Sequence, residues 1–438
     1  MSPEKSKISI FPLLSVNFIG TLGFSIMLPF LVYLVREFKG NAFLYGALGA
    51  SYSLCQMIGA PILGRMSDYY GRKRILFICE AGTFISWVIF FGALYLPVNT
   101  VFSFHSGLLG DMVFTLPLLI VFLARSVDGI TAGDISVANA YLSDISDEKE
   151  LNRNYGRMSA SANIGFIVGP LLAGVLGATA MGLKLPIIAT AAITLFSLFL
   201  IVFGLPESTV GAHKFKLPAR QDTNSEIEKP KEAHPGFRFL IKQPNIAMML
   251  VLYFLIYLGF NFFYISFPLY ASDGLKWNVT QLGIFFAVLS GLMVVVQGPI
   301  LNALSKKISN EVLTIVGGFL LTFNFVLMMS HNNIVLYGGA ILFAFGNGLM
   351  WPSFLAILSR VAGHKYQGAI QGLAGSAGSI ASIFGLLIGG VLYHTYHEKT
   401  FLIAAAIIFG VFLYSFRLLR LRNQETGVRN QGLEIGNK

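Results

Sequence analysis

The chain has 438 residues, of which 55% are hydrophobic and only 12% are charged, and its mean hydropathy is +0.70. A soluble domain usually has about 25% charged residues, so this composition excludes a soluble enzyme, a disordered chain and a fibrous protein. The formal net charge is nevertheless +10. A basic chain can bind nucleic acid, so the placement of the charges has to be tested.

Apolar stretches, each long enough to cross a bilayer as a helix of about 20 residues, follow one another along the chain. They lie at 8–35, 43–64, 74–96, 117–143, 157–180, 184–204, 245–270, 280–304, 311–330, 334–358, 366–394 and 398–420. Alternating segments of about ten residues, typical of a membrane β-barrel, do not occur in the sequence. We therefore predict an all-α membrane protein with 12 transmembrane helices.

One joint between the apolar stretches is long, polar and contains prolines, which is typical of a linker. It divides the chain into two sets of six helices, and residues 59–76 weakly resemble residues 297–313. Repeated six-helix halves are typical of secondary transporters. We predict two pseudo-symmetric six-helix bundles at 1–205 and 244–422, a cytoplasmic linker at 206–243 and a cytoplasmic tail at 423–438.

The lysines and arginines are distributed unevenly between the two sides of this topology. Of the 31, we assign 25 to the side of the termini and five to the other side, while Arg125 falls inside a helix. Basic residues stay in the cytoplasm, so both termini are predicted to be cytoplasmic, in a cytoplasmic (inner) membrane. The basic charge is then a topology signal, and no nucleic-acid partner is expected.

No cofactor or metal site is predicted, and the chain is not expected to be an enzyme. The two cysteines, Cys55 and Cys79, lie in apolar runs without zinc spacing, and the histidines form no ligand pattern. The sequence contains no phosphate-binding Walker motif, so transport driven by ATP is not indicated.

The turn after the second helix has the pattern G-x-x-x-D-x-x-G-R-K, at Gly64, Asp68, Gly71, Arg72 and Lys73. Its glycines permit a tight reversal, and its acid can pair with an arginine or a helix terminus. An ordinary basic loop would need neither. The pattern resembles the hallmark of the major facilitator superfamily, which implies the major facilitator fold and a gating role for this turn.

The fourth helix carries buried charge at Arg125, Asp128 and Asp134. A central ion costs about 2.5–3.5 kcal/mol on insertion scales, so such residues are functional by default. Arg125 and Asp128 are three residues apart and can pair, whereas Asp134 falls on the opposite side of a continuous helix. Glu80 lies one turn into the third helix, where it either functions or reaches water. A purely structural Arg–Asp pair is the alternative.

The R-x-x-x-G pattern at Arg125 and Gly129 resembles the family's fourth-helix motif, which implies a role for Arg125 in proton coupling. Asp128, Glu80 and Asp134 are further proton-coupling candidates because they are acids within membrane segments. Asp144 lies where the family keeps another acid, so it joins the gating candidates. The fifth helix reads G-x-x-x-G-P-x-x-A-G and resembles the signature of the family's antiporters. A hinge is thereby implied at Gly165, Gly169, Pro170 and Gly174, the alternative being generic helix packing.

Aromatic residues recur on one face of the seventh helix, as expected of a surface for planar amphiphiles, although such a stripe more often packs or contacts lipid. The predicted substrate residues are Asn17, Gln56, Tyr257, Asn261, Tyr264, Asn347 and Trp351. The second half contains no acid or base buried in a helix in this interpretation, so the proton work is expected in the first half.

The stretch 119–180 resembles the tetracycline/proton antiporters. This resemblance implies a proton-coupled efflux transporter of small amphipathic organic compounds. We expect a monomer, with protons and membrane lipid as its other partners. Two alternatives stay open. One is a proton-coupled importer or exporter of a metabolite such as a siderophore or nutrient, and the other is a non-transporting membrane receptor.

Overall fold

The computed structural model describes residues 9–146, 148–207, 239 and 243–436, with the side chains of 148, 149, 152, 364–369 and 421–436 left out. Most of the linker predicted at 206–243 lies outside the described residues. The chain forms two compact units, of which the first comprises Met1–Ala233 with Lys276–Ala287 and the second comprises His234–Leu275 with Val288–Lys438. The domain boundaries given above remain a prediction.

The described residues of the first unit form helices and one hairpin. Its elements are α1 (Phe11–Glu37), α2 (Ala42–Tyr70), α3 (Arg72–Ala93), β1 (Thr100–Ser106), β2 (Gly110–Thr115), α4 (Leu116–Thr131), α5 (Asp134–Ile145), α6 (Glu148–Gly177) and α7 (Lys184–Gly204). Helix α1 packs along α6, α2 packs along α4, and α3 packs against α4 and α7. The Asn41 side chain caps α2 by accepting a hydrogen bond from the backbone N–H of Leu44 at 3.0 Å.

The hairpin is a correction to the all-α prediction. Strands β1 and β2 pair antiparallel with Phe102 opposite Phe114, and these two rings stack with centroids 4.5 Å apart. The alternating sequence TVFSFHS suits a strand. Asn41 anchors the hairpin by donating to the carbonyl oxygens of Leu109 and Asp111 at 2.8 and 3.0 Å. The residues between the third and fourth predicted helices are therefore folded.

All secondary-structure elements among the described residues of the second unit are helices. Its helices are α8 (Ile246–Asp273), α9 (Val279–Val295, begun in the first unit), α10 (Leu301–Leu304), α11 (Asn310–Leu327), α12 (Asn333–Tyr396) and α13 (Thr400–Gly436). A π-helical turn around Pro299 joins α9 to α10, because proline cannot complete the α-helical hydrogen bonding. The tail predicted at 423–438 continues α13 as far as Gly436.

The tenth and eleventh predicted helices are two helices that meet at a kink at Gly363. Residues 333–396 form one helical run of 64 residues, interrupted only by the non-helical backbone of Gly363, which has φ 63° and ψ 164°. Glycine adopts this conformation without the strain that a Cβ would bring. The sequence signal for two helices thus corresponds to a single-residue break.

Ten helices among the described residues are long and apolar enough to cross a membrane. Helix α2 is not one of them, because its serine, tyrosine, glycine and glutamine residues lower its hydropathy. Residues 370–420 are counted as a single span. Helices α4 and α5 together form one span of 30 residues. Twelve crossings in two six-helix bundles remain a prediction.

Candidate functional site

The centre of the candidate site is an ion pair inside the first unit. Arg125 and Asp128 lie one turn apart on α4, and Nη1 of Arg125 is 3.0 Å from Oδ2 of Asp128. The arginine side chain is 6% exposed and that of the aspartate 15%. The pairing predicted from the i, i+3 spacing is therefore confirmed.

Residues from three other helices complete the surroundings of this pair. The guanidinium lies over the ring of Tyr52, 4.2 Å from its centroid, which is the geometry of a cation–π interaction. Thr83 donates a hydrogen bond to Oδ1 of Asp128 at 3.1 Å, and Arg125 also contacts the sulfur of Met27 at 3.5 Å. Arg125 therefore keeps a second contact, with Tyr52, that does not depend on the charge of Asp128.

Two further carboxyl groups lie close to the ion pair. Glu80 is 2% exposed, and its Oε1 has no hydrogen-bond partner among the described residues. Electrostatic interactions link Glu80 with both Asp128 and Asp134. The interpretation that the Glu80 side chain reaches water is therefore wrong for this conformation.

The placement of Asp134 corrects the sequence-based expectation. Helix α4 ends at Thr131 and α5 begins at Asp134, so the predicted continuous helix is broken. Asp134 therefore does not have to lie on the side of the helix opposite to Arg125. Asp134 lies against α1, where a Cβ added to Gly20 would be 2.9 Å from its Oδ2. The break thus brings Asp134 into the electrostatic range of Asp128.

The helices around the ion pair approach closely at glycines. A Cβ at Gly129 would lie 2.8 Å from Cβ of Cys55, and one at Gly133 would lie 2.8 Å from Cβ of Leu63. Both glycines therefore allow α4 and α5 to pack closely on α2. This packing fixes the distance between Tyr52 on α2 and Arg125 on α4.

The predicted gating turn forms a network of charged groups between α2, α3 and α5. Gly71 connects α2 to α3 with φ 97°, a left-handed conformation that favours glycine. Arg72 is 2.7 Å from Asp68 and 3.0 Å from Asp144, and it also donates to the hydroxyl of Ser67 at 2.6 Å. Asp144 is 14% exposed and Asp68 is 55% exposed, so the pair with Asp144 is the better shielded one.

The other residues of the gating prediction lie at the same turn. Lys73 donates its backbone N–H to Oε1 of Glu207 at 3.1 Å, and its Nζ donates to the carbonyl oxygen of Val202 at 2.7 Å. Gly64 accepts a hydrogen bond from the hydroxyl of Ser67 through its carbonyl oxygen. The first turn of α3 is therefore tied to the end of α7 as well as to α5.

The glycines of the predicted hinge contact different neighbours. A Cβ at Gly165 would lie 2.8 Å from the carbonyl oxygen of Phe18, and one at Gly169 would lie 2.9 Å from that of Leu22, so both face α1. Gly174 faces residues 276–287 instead, where Thr280 donates its hydroxyl to the Gly174 carbonyl oxygen at 2.9 Å. Helix α6 is thus packed closely on two sides.

Pro170 belongs to the same contact. It lies inside α6, and a Cβ at Gly283 would be 2.6 Å from its carbonyl oxygen. Close contact at both Gly174 and Gly283 is possible only with small residues on both segments. The glycine-rich motif of α6 therefore corresponds to a place where the backbones of two segments come close together.

The second unit contains an aromatic cluster around Trp351. Tyr253 and Tyr257 stack at 5.0 Å with 10° between their planes, and the indole of Trp351 lies edge-on to each at 5.2 Å. Phe354 and Phe260 complete the cluster at 6.3 and 6.4 Å from Trp351. Such an arrangement presents ring faces and edges together with polar hydroxyl and indole groups.

Polar groups adjoin this aromatic cluster. Asn261 donates to the carbonyl oxygen of Tyr257 at 2.8 Å and to the hydroxyl of Ser382 at 3.0 Å. Asn347 lies one turn before Trp351, is 5% exposed, and its Oδ1 has no hydrogen-bond partner among the described residues. Tyr264 lies further along α8, where its ring meets Phe263 at 5.6 Å.

The remaining predicted substrate residues lie in the first unit. Asn17 donates to the carbonyl oxygen of Met158 at 2.9 Å and to the hydroxyl of Ser161 at 2.8 Å, so it joins α1 to α6. Gln56 donates to the hydroxyl of Tyr52 at 3.3 Å. Gln56 therefore adjoins the ring that covers Arg125.

The second unit also corrects the expectation of no buried charge. Glu311, in the first turn of α11, is 1% exposed and forms an ion pair with Arg360 on α12. The predicted span begins at Glu311, and sequence spacing could not reveal its pairing with Arg360, because the two residues are 49 positions apart.

The comparisons with known proteins agree with this fold. Residues 13–329 and 311–434 match the profile of the Major Facilitator Superfamily, and the chain belongs to that family. The chain is therefore a multi-pass integral membrane protein of a transporter family. Groups of three or more histidine, cysteine or carboxylate residues suited to a metal ion are absent from the described part of the chain.

Individual relatives cover nearly the whole chain. It is 27% identical to the tetracycline resistance protein, class C, of Escherichia coli over 92% of this chain and 95% of that protein. It is 26% identical to multidrug resistance protein 2 of Bacillus subtilis (strain 168), over 90% and 91%. Among solved structures, a D-xylose–proton symporter superposes with a TM-score of 0.72 at 14% identity, covering 94% of this chain and 97% of that one, which shows the shared fold.

Proposed function

We propose that this protein is a proton-coupled exporter of small amphipathic compounds with a flat aromatic part. It would cross the cytoplasmic membrane twelve times as a monomer of two six-helix bundles, with both termini in the cytoplasm. The binding of substrate or proton would favour one of two conformations, each open to a different side. The observation that carries the proposal is the shielded Arg125–Asp128 ion pair, in which Arg125 also contacts the ring of Tyr52.

Asp128 is the proposed proton carrier. Protonation of its carboxylate removes the charge that holds Arg125, while the Tyr52 ring continues to hold the guanidinium. Thr83 stabilises the charged form of Asp128 by its hydrogen bond. A proton therefore changes one contact of Arg125 and preserves the other, which gives the site two defined states.

Glu80 and Asp134 extend the proposed proton path. Glu80 has an unpartnered Oε1, and both carboxyl groups interact with Asp128. A buried polar atom without a partner is rare and marks a functional site or a place for water. We assign to these two acids the relay of protons toward Asp128.

The aromatic cluster of the second unit is the proposed place for the flat part of the substrate. Its ring faces favour another aromatic system, and the free Oδ1 of Asn347 can accept one hydrogen bond. The relatives named for tetracycline and multidrug resistance support an aromatic, amphipathic cargo. The gating turn at Arg72 and the hinge on α6 are assigned to the conformational change.

The experiment uses everted membrane vesicles and the planar fluorescent probe ethidium. A proton gradient that is acidic inside should drive ethidium into vesicles that contain the wild-type protein, and nigericin should abolish the uptake. In Asp128→Asn the gradient should no longer drive accumulation, whereas exchange of ethidium at equal concentrations should persist, since the aromatic cluster is unchanged.

The matched control is Asp111→Asn, because Asp111 is an acid in the exposed part of the hairpin and is 82% exposed. This variant should accumulate ethidium as the wild type does. Proton-driven accumulation that is equal in Asp128→Asn and the wild type would exclude Asp128 as the carrier. Uptake with protons moving in the same direction as ethidium would instead show symport, and thus contradict export.

A further inference from the structure

A groove on the first unit lies between the first turns of α3 and the end of α7. Its volume is about 570 Å³, and it is lined by Lys73, Arg74, Phe77, Ile78, Ile201, Val202 and Glu207. Phe77, Ile78 and Val202 are 39%, 45% and 42% exposed, so its walls are apolar and open. Neither the proton site nor the aromatic cluster contributes a residue to it.

The groove has its charges at one end. Lys73 and Arg74 lie in the first turn of α3, and Glu207 follows the last turn of α7. The Glu207 carboxylate already accepts the backbone N–H of Lys73 at 3.1 Å, so it is engaged by the helix terminus. The two basic side chains therefore leave a net positive charge at the polar end, next to apolar walls.

The depth of this charged end in the bilayer follows from the helices. Arg72–Ala93 and Lys184–Gly204 are both membrane-spanning by length and composition, and the groove lies where the first begins and the second ends. Lys73 confirms that these two ends are adjacent, since its Nζ is 2.7 Å from the Val202 carbonyl oxygen. The basic residues are thus at the level of lipid head groups, and the apolar walls extend toward the acyl chains.

We propose that this groove binds one anionic phospholipid. Arg74 and Lys73 would hold the phosphate, and Phe77, Ile78 and Val202 would contact an acyl chain. Basic recesses between membrane helices with apolar walls are suited to this ligand class. A free phosphate would use the charges alone and leave the apolar walls without a partner, so the geometry favours a lipid.

Native mass spectrometry of the purified protein can test this proposal with dioleoyl phosphatidylglycerol and dioleoyl phosphatidylcholine as probes. The wild type should retain one phosphatidylglycerol in preference to phosphatidylcholine. Arg74→Gln should weaken the retention of phosphatidylglycerol about fivefold, since each basic residue near an anionic lipid contributes on the order of that factor. Val202→Trp, which fills the groove without changing its charge, should also reduce retention.

The matched control is Arg65→Gln, because Arg65 is exposed, lies near the same turn and does not line the groove. It should bind phosphatidylglycerol as the wild type does. Equal losses in Arg65→Gln and Arg74→Gln would mean diffuse attraction and overturn the proposal, as would equal retention of the two lipids. Displacement by the deacylated head group glycerophosphoglycerol, at the affinity of the intact lipid, would identify a phosphate site and refute the lipid assignment.

Discussion

Replacing Gly169 by alanine tests whether the antiporter-like sequence of α6 serves close helix contact. A Cβ at this position would lie 2.9 Å from the Leu22 carbonyl oxygen and 2.9 Å from the Ile26 backbone nitrogen, and it would also meet the hydroxyl of Ser25. Two of these three atoms belong to the backbone of α1, which cannot rotate away as a side chain can. Helix α1 or α6 must therefore shift.

The expected magnitude follows from two opposing effects. Overpacking of a closely packed contact costs about 1–3 kcal/mol. We place Gly169→Ala at the upper end of this range because the added Cβ clashes with backbone atoms. Alanine gains about 1 kcal/mol over glycine in helix propensity. We expect Gly169→Ala to lower the free energy of unfolding by about 2 kcal/mol in total.

Gly156→Ala is the matched control, because Gly156 also lies in α6 and a Cβ there would meet nothing within 4 Å. It should stabilise the protein by up to about 1 kcal/mol. Gly174→Ala should fall between the two, since its nearest neighbour is 3.2 Å away. Unfolding in mixed micelles of dodecyl maltoside and sodium dodecyl sulfate measures all three variants. Equal stability of Gly169→Ala and Gly156→Ala would show that the contact between α6 and α1 at Gly169 does not require glycine.

Three further outcomes are expected. Asp144→Asn should lower the free energy of unfolding by about 1–3 kcal/mol, and Asp68→Asn by less than about 1, since only the pair of Arg72 with Asp144 is well shielded; equal effects in the same micelle assay would contradict this. Tyr52→Phe should keep gradient-driven ethidium uptake, and Tyr52→Leu should lose it together with the cation–π contact; uptake retained by Tyr52→Leu would speak against that role. Trp351→Ala should weaken ethidium binding at least tenfold, measured by fluorescence titration, and Trp351→Phe should weaken it less; an unchanged affinity would remove the aromatic cluster from the binding site.

The helices could be predicted from sequence because apolar length is a local property. The stretch 184–204 agrees with α7 residue for residue, and the Arg125–Asp128 pair follows from spacing within one helix. The family resemblance also rested on contiguous motifs, and the family match confirms it.

What the sequence did not reveal depends on contacts between distant segments. The hairpin depends on pairing between its two strands, such as that of Phe102 with Phe114, and the sequence analysis predicted no strands between the segments 74–96 and 117–143. The break between α4 and α5 lies where Gly133 packs on Leu63 of another helix. Tyr52 was missed because its place above Arg125 is set by the packing of α2 on α4, although an aromatic residue near a buried arginine could have been a signal.

Helix α6 has its close contacts on opposite flanks. Gly165 and Gly174 are nine residues apart, which is two and a half turns, so α1 and residues 276–287 meet this helix from opposite directions. Rotation of α6 about its own axis would drive side chains into backbone on both flanks at once. The close contacts on both flanks therefore oppose rotation of α6 about its own axis when α1 is displaced relative to residues 276–287.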